Sequence, residues 1–131
     1  MNAERLKVLV LDDEVLVADS LVQILAMYGY DATPAYDPEQ AVEWLSSHPC
    51  DIVISDVVFN GQMSGIDLAI QLSKTLPTAK VLLMSGNNST SDLLAIAQSQ
   101  GHSFEIFAKP VHPMVILERL KAFTSEPPSK S

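Results

Sequence analysis

The sequence is poor in cysteine, in positive charge and in long apolar runs, and each shortage removes a class of function. Cys50 is the sole cysteine in 131 residues. One thiol cannot close an internal disulfide, so a reducing, cytoplasmic setting is expected. Lys and Arg number 8 against 16 Asp and Glu, a formal net charge of −8. A phosphate backbone calls for a basic face, so no nucleic acid is expected as a direct ligand. The balance is compatible with binding a cation. No apolar run approaches the roughly 20 residues of a membrane span, so no membrane partner is expected. The first run, Val8–Leu11, is too short for a signal peptide and is cut off by acids. There is no internal repeat.

What is present is a core. Hydrophobic residues make up 47% of the chain, enough for one globular domain. Residues 1–123 are read as that domain. The polar, proline-containing end "TSEPPSKS", residues 124–131, is read as a disordered tail or linker stub. Short apolar runs alternate with helix-like segments. The expected strands are 7–11, 31–36, 51–55, 80–85 and 104–108, mostly without polar alternation, as in parallel strands covered on both faces. Pro34 lacks an N–H, which suits an edge position for the second.

The expected helices fill the gaps. In 14–28, Val17, Leu21, Ile24 and Tyr28 recur at helical spacing and Gly29 supplies a stop. Asp37 and Pro38 open the next, as cap and first helical residue. The remaining three span about 66–75, 91–99 and 113–123, the last burying Ile116, Leu117, Leu120 and Phe123. Five alternating units give a doubly wound α/β fold with a five-stranded parallel sheet and helices on both faces.

On that scaffold the odd polar residues fall together. Asp12 and Asp13 follow strand one, Asp56 ends strand three, Ser85 strand four and Lys109 strand five. All carboxyl ends of a parallel sheet share one edge, where ligands bind at the topological switch point. Glu14 is explained by the helix dipole. Asp12, Asp13 and Asp56 repel one another unless a cation neutralises them. Oxygen-only ligands point to a hard divalent ion such as Mg²⁺, which also bridges to phosphoryl oxygens. Lys109 and the Ser85 hydroxyl would complete a cage around the anion. Asp56 is the best candidate for a carboxylate nucleophile, since it stands between the acidic pair and the basic and hydroxyl side chains.

Those elements, "LVLDDE", "DIVISDVVFNGQMSG", "LLMSG" and "FAKP" in that order, resemble a response-regulator receiver domain of bacterial two-component signalling, over about residues 6–123. The resemblance implies a flavodoxin-like strand order 2-1-3-4-5. It implies Mg²⁺ held by Asp12, Asp13, Asp56 and the Val58 carbonyl, with Asp56 the phosphoacceptor. Ser85 matches the hydroxyl that turns toward the phosphoryl group. Lys109 matches the lysine that pairs with it, and Lys109–Pro110 a peptide usually cis in the family. The donor would be a sensor histidine kinase or a histidine phosphotransfer protein, and the signal would pass by protein–protein contact to an unidentified downstream protein. Such a domain is a switch that catalyses only its own phosphorylation and dephosphorylation.

Four departures stand out. Phe59-Asn60 replaces a frequent Met-Pro pair, and the loop to Gly65 is one residue longer than the commonest form. The stretch from Gly101 to Lys109 is also one residue longer than usual in the family. Ile106 occupies the place of the aromatic switch residue, and Phe107 is expected on the opposite face of the sheet. Coupling through Ser85, "GNNSTS" and the fourth helix is therefore expected.

Other readings fit less of the chain. An aspartate phosphohydrolase places D-x-D after strand one, whereas this chain reads Asp12-Asp13-Glu14-Val15. A flavin or nucleotide binder would need a glycine-rich phosphate loop, and none follows strand one. A pure interaction module would not need the complete polar set. His48, His102 and His112 show no metal-ligand spacing, and Trp44 is expected to pack a helix. Leu93, Leu94 and Ile96 are expected first to be core and second to offer a partner surface.

Overall fold

The computed structural model describes residues 6–57, 64–85, 95, 98, 105–109 and 111–125. Five strands pair in parallel: β1 (Lys7–Leu11), β2 (Asp31–Ala35), β3 (Ile52–Asp56), β4 (Lys80–Ser85) and β5 (Glu105–Ala108). Their order is β2-β1-β3-β4-β5, the arrangement expected. Pro34 lies on an edge strand with Val10 opposite, where its missing N–H costs no ladder bond.

Among the described residues the continuous helices are α1 (Val15–Met27), α2 (Pro38–Ser47), α3 (Gly65–Thr75) and α4 (Pro113–Ser125). Four of these boundaries have a chemical cause in the sequence. Gly29, at φ 95°, adopts the left-handed turn that ends α1. The Asp37 carboxylate accepts from Gln40 N–H at 2.8 Å, with Pro38 next. Ser64 and Asp67 form a reciprocal capping box at the start of α3. The His112 ring accepts from Met114 N–H through Nδ1 at 3.1 Å, so an imidazole takes the capping place ahead of Pro113. Of the helix expected near 91–99, Ala95 and Gln98 are described, both helical and exposed. Leu93, Leu94, Ile96, the "GNNSTS" loop and Gly101 lie outside the described residues.

Period-two alternation splits the core. Val8, Val10, Ile52, Ile54, Leu82 and Met84 face α1 and α4. Leu9, Leu11, Val53 and Leu83 face the α2 and α3 side. Each such side chain, fully buried, contributes about 1.5–3 kcal/mol. In α1 the inward stripe is Ala18, Leu21 and Leu25. Val17 and Tyr28 of the expected stripe are instead exposed. The helix is apolar nearly all round, so spacing alone left its phase open, and packing against β1 and β2 fixed it. Ile116, Leu117 and Leu120 are buried as expected, and α4 runs to Ser125. Among the described residues no helix is long and apolar enough to cross a membrane.

Candidate functional site

The carboxyl edge of the sheet gathers the polar residues one strand at a time. Asp12 leaves β1 with its N–H donating to Ala35 O at 3.1 Å. Its side chain is fully buried, and Oδ1 accepts from Glu14 N–H at 2.9 Å. Asp12 therefore satisfies an orphan donor at the start of α1. Glu14 is the N-cap residue and makes no side-chain cap bond, which corrects its expected place within the helix. Asp13 is exposed. On the neighbouring strand exit, Tyr36 Oη donates to Asp19 Oδ1 at 2.6 Å and ties the end of β2 to α1.

Asp56 is the last residue of β3, as expected, and is 8% exposed. Its Oδ1 accepts from Val57 N–H at 2.9 Å, a donor that also reaches Met84 O at 2.9 Å. Directly behind it begins α3, whose Gly65 N–H donates to Val57 O at 2.7 Å. A Cβ on Gly65 would overlap the Asp56 carbonyl oxygen, so only glycine permits this approach. Val58, Phe59, Asn60 and most of the loop to Gly65 lie outside the described residues, as does Pro110.

Lys109 closes the group from β5. Its Nζ donates to Asp12 Oδ2 and to Asp56 Oδ2, each at 3.1 Å, and its backbone N–H donates to Ser85 O at 2.9 Å. Ser85, also 8% exposed, ends β4 beside it. One residue pair sets the sides of β5: Ile106 packs toward Val57, Ile66 and Leu83, whereas Phe107 packs on the α1 and α4 side. The expected opposition of Ile106 and Phe107 is what the pleat produces.

The electrostatics follow from burial. Desolvation, with the neighbouring Asp12 charge, raises the Asp56 carboxyl's pKa against the Lys109 ammonium and the Val57 N–H, which pull the other way. For Lys109, desolvation alone would lower the pKa. The hydrogen bonds and charges of Asp56 and Asp12 overcome it and raise the value. Carboxylate oxygens of Asp12, Asp13 and Asp56 lie within 4.8 Å of one another. Three carboxylates face one ammonium there, and every donor is a hard oxygen. That set fits Mg²⁺, which takes one or two carboxylates and retains waters.

Beside Lys109 a groove of about 620 Å³ opens between α1 and α4, lined by Leu16, Val17, Ile24, Met84, Val111 and Pro113. Leu16 on its wall is 80% exposed. No signal read from the sequence pointed to this groove, because an apolar residue on a helix reads as core.

Residues 8–121 match the family model of the response regulator receiver domain. The phosphoglycerate transport system transcriptional regulatory protein PgtA of Salmonella typhimurium is 30% identical over 117 residues, covering 89% of this chain and 28% of that protein. The probable transcriptional regulatory protein TcrX of Mycobacterium tuberculosis is 28% identical over 121 residues, 92% of this chain and 50% of that protein. The chain thus spans about a fifth to a half of the curated relatives it matches. Among solved structures, a CheY-like receiver domain protein from Methanospirillum hungatei superposes with a TM-score of 0.82 at 24% identity, covering 94% of this chain and 96% of that one. A receiver protein from Pseudomonas putida gives a TM-score of 0.78 at 24% identity, covering 92% and 98%. At that identity the two structures speak for the fold.

Proposed function

The chain belongs to the response regulator receiver domain family, and we propose that Asp56 accepts a phosphoryl group in a Mg²⁺-dependent reaction and that the modified domain signals by protein–protein contact. The observation that carries this is the meeting of Asp12, Asp13 and Asp56 with Lys109, whose Nζ stands 3.1 Å from two of the three.

The chemistry is a transfer between nucleophiles. A carboxylate oxygen of Asp56 bonds to phosphorus as the phosphorus–nitrogen bond of a donor phosphohistidine breaks. The imidazole nitrogen keeps the bonding pair and takes a proton, and Asp56 becomes an acyl phosphate. Asp12, Asp13, Asp56 and the Val58 carbonyl would hold Mg²⁺, which neutralises phosphoryl charge when bound. Lys109 supplies a fixed ammonium to the phosphoryl oxygens, and the Ser85 hydroxyl supplies a further donor at the end of β4. The Val57 N–H holds the acceptor carboxylate in place and favours its charged form. A donor protein has to bring its histidine to this edge. The apolar groove beside Lys109 gives such a protein a surface to bury. The donor is a sensor histidine kinase or a histidine phosphotransfer protein.

Output is expected through Ser85 and the segment after β4. Ile106 is β-branched, stiff at χ1 and packed among apolar neighbours, so it has no polar tip to exchange between core and solvent.

Incubation with Mg²⁺ and acetyl phosphate, followed by intact mass, tests the reading. One phosphoryl increment that is lost in EDTA and absent from Asp56→Asn supports it. The same increment on the Asn variant sinks the assignment of Asp56.

A further inference from the structure

Ser55 has no part in the chemistry above, yet it occupies a costly position. In β3 it lies between Val53 and Val57 on the side covered by α2 and α3. Its partners across the ladder are Leu11 and Leu83. It is fully buried, and a buried hydroxyl among apolar neighbours is unfavourable unless it is bonded. The Oγ–H donates to the backbone carbonyl of Asp56 at 2.8 Å.

That carbonyl belongs to the peptide plane whose other end is the Val57 N–H. The peptide is rigid, so whatever fixes the oxygen fixes the N–H. The N–H in turn donates to Asp56 Oδ1 and to Met84 O, each at 2.9 Å. Gly65 supports the same plane from behind. Its absent Cβ leaves room for the carbonyl and would stand 3.1 Å from Ser55 Oγ. Gly65 N–H holds the next carbonyl, that of Val57, at 2.7 Å.

We infer that Ser55 is a positioning residue: its hydroxyl locks the Asp56–Val57 peptide so that the Val57 N–H stays on the Asp56 carboxylate. The inference rests on Asp56 being the phosphoacceptor. It adds that the serine in "VISD" sets how fast that carboxylate reacts. A small misplacement of a reacting group costs rate without changing donor binding.

The test compares Ser55→Ala, Ser55→Cys and Val53→Ala, each phosphorylated with acetyl phosphate and Mg²⁺ and followed by intact mass. Cysteine fills the serine's space with a weak donor, so it remains informative should the alanine variant fail to fold. Val53→Ala opens a cavity on the same face and leaves the hydroxyl in place. Both Ser55 variants are expected to lower the saturating rate roughly tenfold, the loss of about one hydrogen bond, with KM for acetyl phosphate unchanged. Both should also displace the Val57 amide resonance before Mg²⁺ or donor is added. Val53→Ala should lose more stability yet keep the wild-type rate and Val57 resonance. The inference is overturned if the Ser55 variants match wild type in rate or in the Val57 resonance, or if Val53→Ala is slowed as much. A wild-type protein that takes no phosphoryl increment overturns the phosphoacceptor reading, and the positioning role with it.

Discussion

The two edges of the sheet carry the same residue types and treat them in opposite ways. At the amino edge, Lys7, Asp31, Asp51 and Lys80 are all exposed. The Asp51 side chain accepts from Lys7 backbone N–H at 2.9 Å. These charges keep their water, and screening makes them worth little. At the carboxyl edge, three acids meet one base, and Asp12 and Asp56 are out of water. Desolvation there raises the Asp56 pKa, and the shared ion pairs raise that of Lys109. At one edge the four described charges are solvated. The other is unbalanced and buried, which costs stability and leaves a deficit that a cation and a phosphoryl group together would settle.

The sharpest test of that contrast is a pair of lysines. Lys109→Ala leaves two buried carboxylates without their cation. With a quarter of the lysine side chain exposed, a loss of about 2–3 kcal/mol is expected, below the full value for a buried pair. Lys7→Ala at the amino edge should cost less than about 0.5 kcal/mol. Urea unfolding at neutral pH in EDTA would compare them. Equal losses would mean that burial does not separate the edges.

Two glycines give the next contrast. Gly65→Ala puts a methyl group into the Asp56 carbonyl, so strand or helix must shift, at about 1–3 kcal/mol. Gly29→Ala has nothing within 4 Å but keeps φ at +95°, and should cost about 1–2 kcal/mol from backbone strain alone. Only the first should also slow phosphorylation. A slowing in both would detach the effect from the site.

A smaller effect is expected from Asp13→Ala. Removing one of three crowded acids should raise stability in EDTA by about 0.5 kcal/mol and weaken the stabilisation by Mg²⁺. Asp51→Ala should instead lower stability by about 0.5–1 kcal/mol, since Lys7 N–H loses its acceptor. A drop for Asp13→Ala in EDTA would contradict the repulsion argument.

The last contrast is in pH. The folded Asp56 holds its proton to higher pH than the unfolded chain does. Between those two values the folded state binds more protons, so this group's contribution falls as pH rises through the window and recovers on acidification. Lys109 acts at the alkaline end. Its stabilisation is complete below the unfolded lysine pKa and is lost as pH rises through its higher folded value. Asp56→Asn should therefore gain stability over wild type at neutral pH, with the gain vanishing as the solution is acidified. A gain that persists in acid would remove desolvation as its cause.

Much of the frame was legible in the chain because parallel strands announce themselves by composition. The runs 7–11 and 80–85 match β1 and β4 residue for residue, and Pro34 identified the edge strand. The residues brought to one edge were legible as well, since strand ends in a parallel sheet must converge. The phase of α1 was not, because Val15 to Met27 offers apolar residues on every side. The overlap of Gly65 with the Asp56 carbonyl and the Tyr36–Asp19 bond depend on how distant segments meet. The S-x-x-D signature of Ser64 and Asp67 was readable and marks where α3 begins. So was the serine next to Asp56 in an otherwise apolar run, which is the one outward sign of the lock on the Asp56 peptide.

The central claim is that one side chain among three crowded acids carries the phosphoryl group. Borohydride reduction converts an aspartyl phosphate to homoserine, which survives digestion and can be placed by peptide mass. After treatment with Mg²⁺ and acetyl phosphate, homoserine at position 56 alone is predicted, with none in a control lacking Mg²⁺. Homoserine at position 12 or 13, or an increment that resists borohydride altogether, would contradict the account.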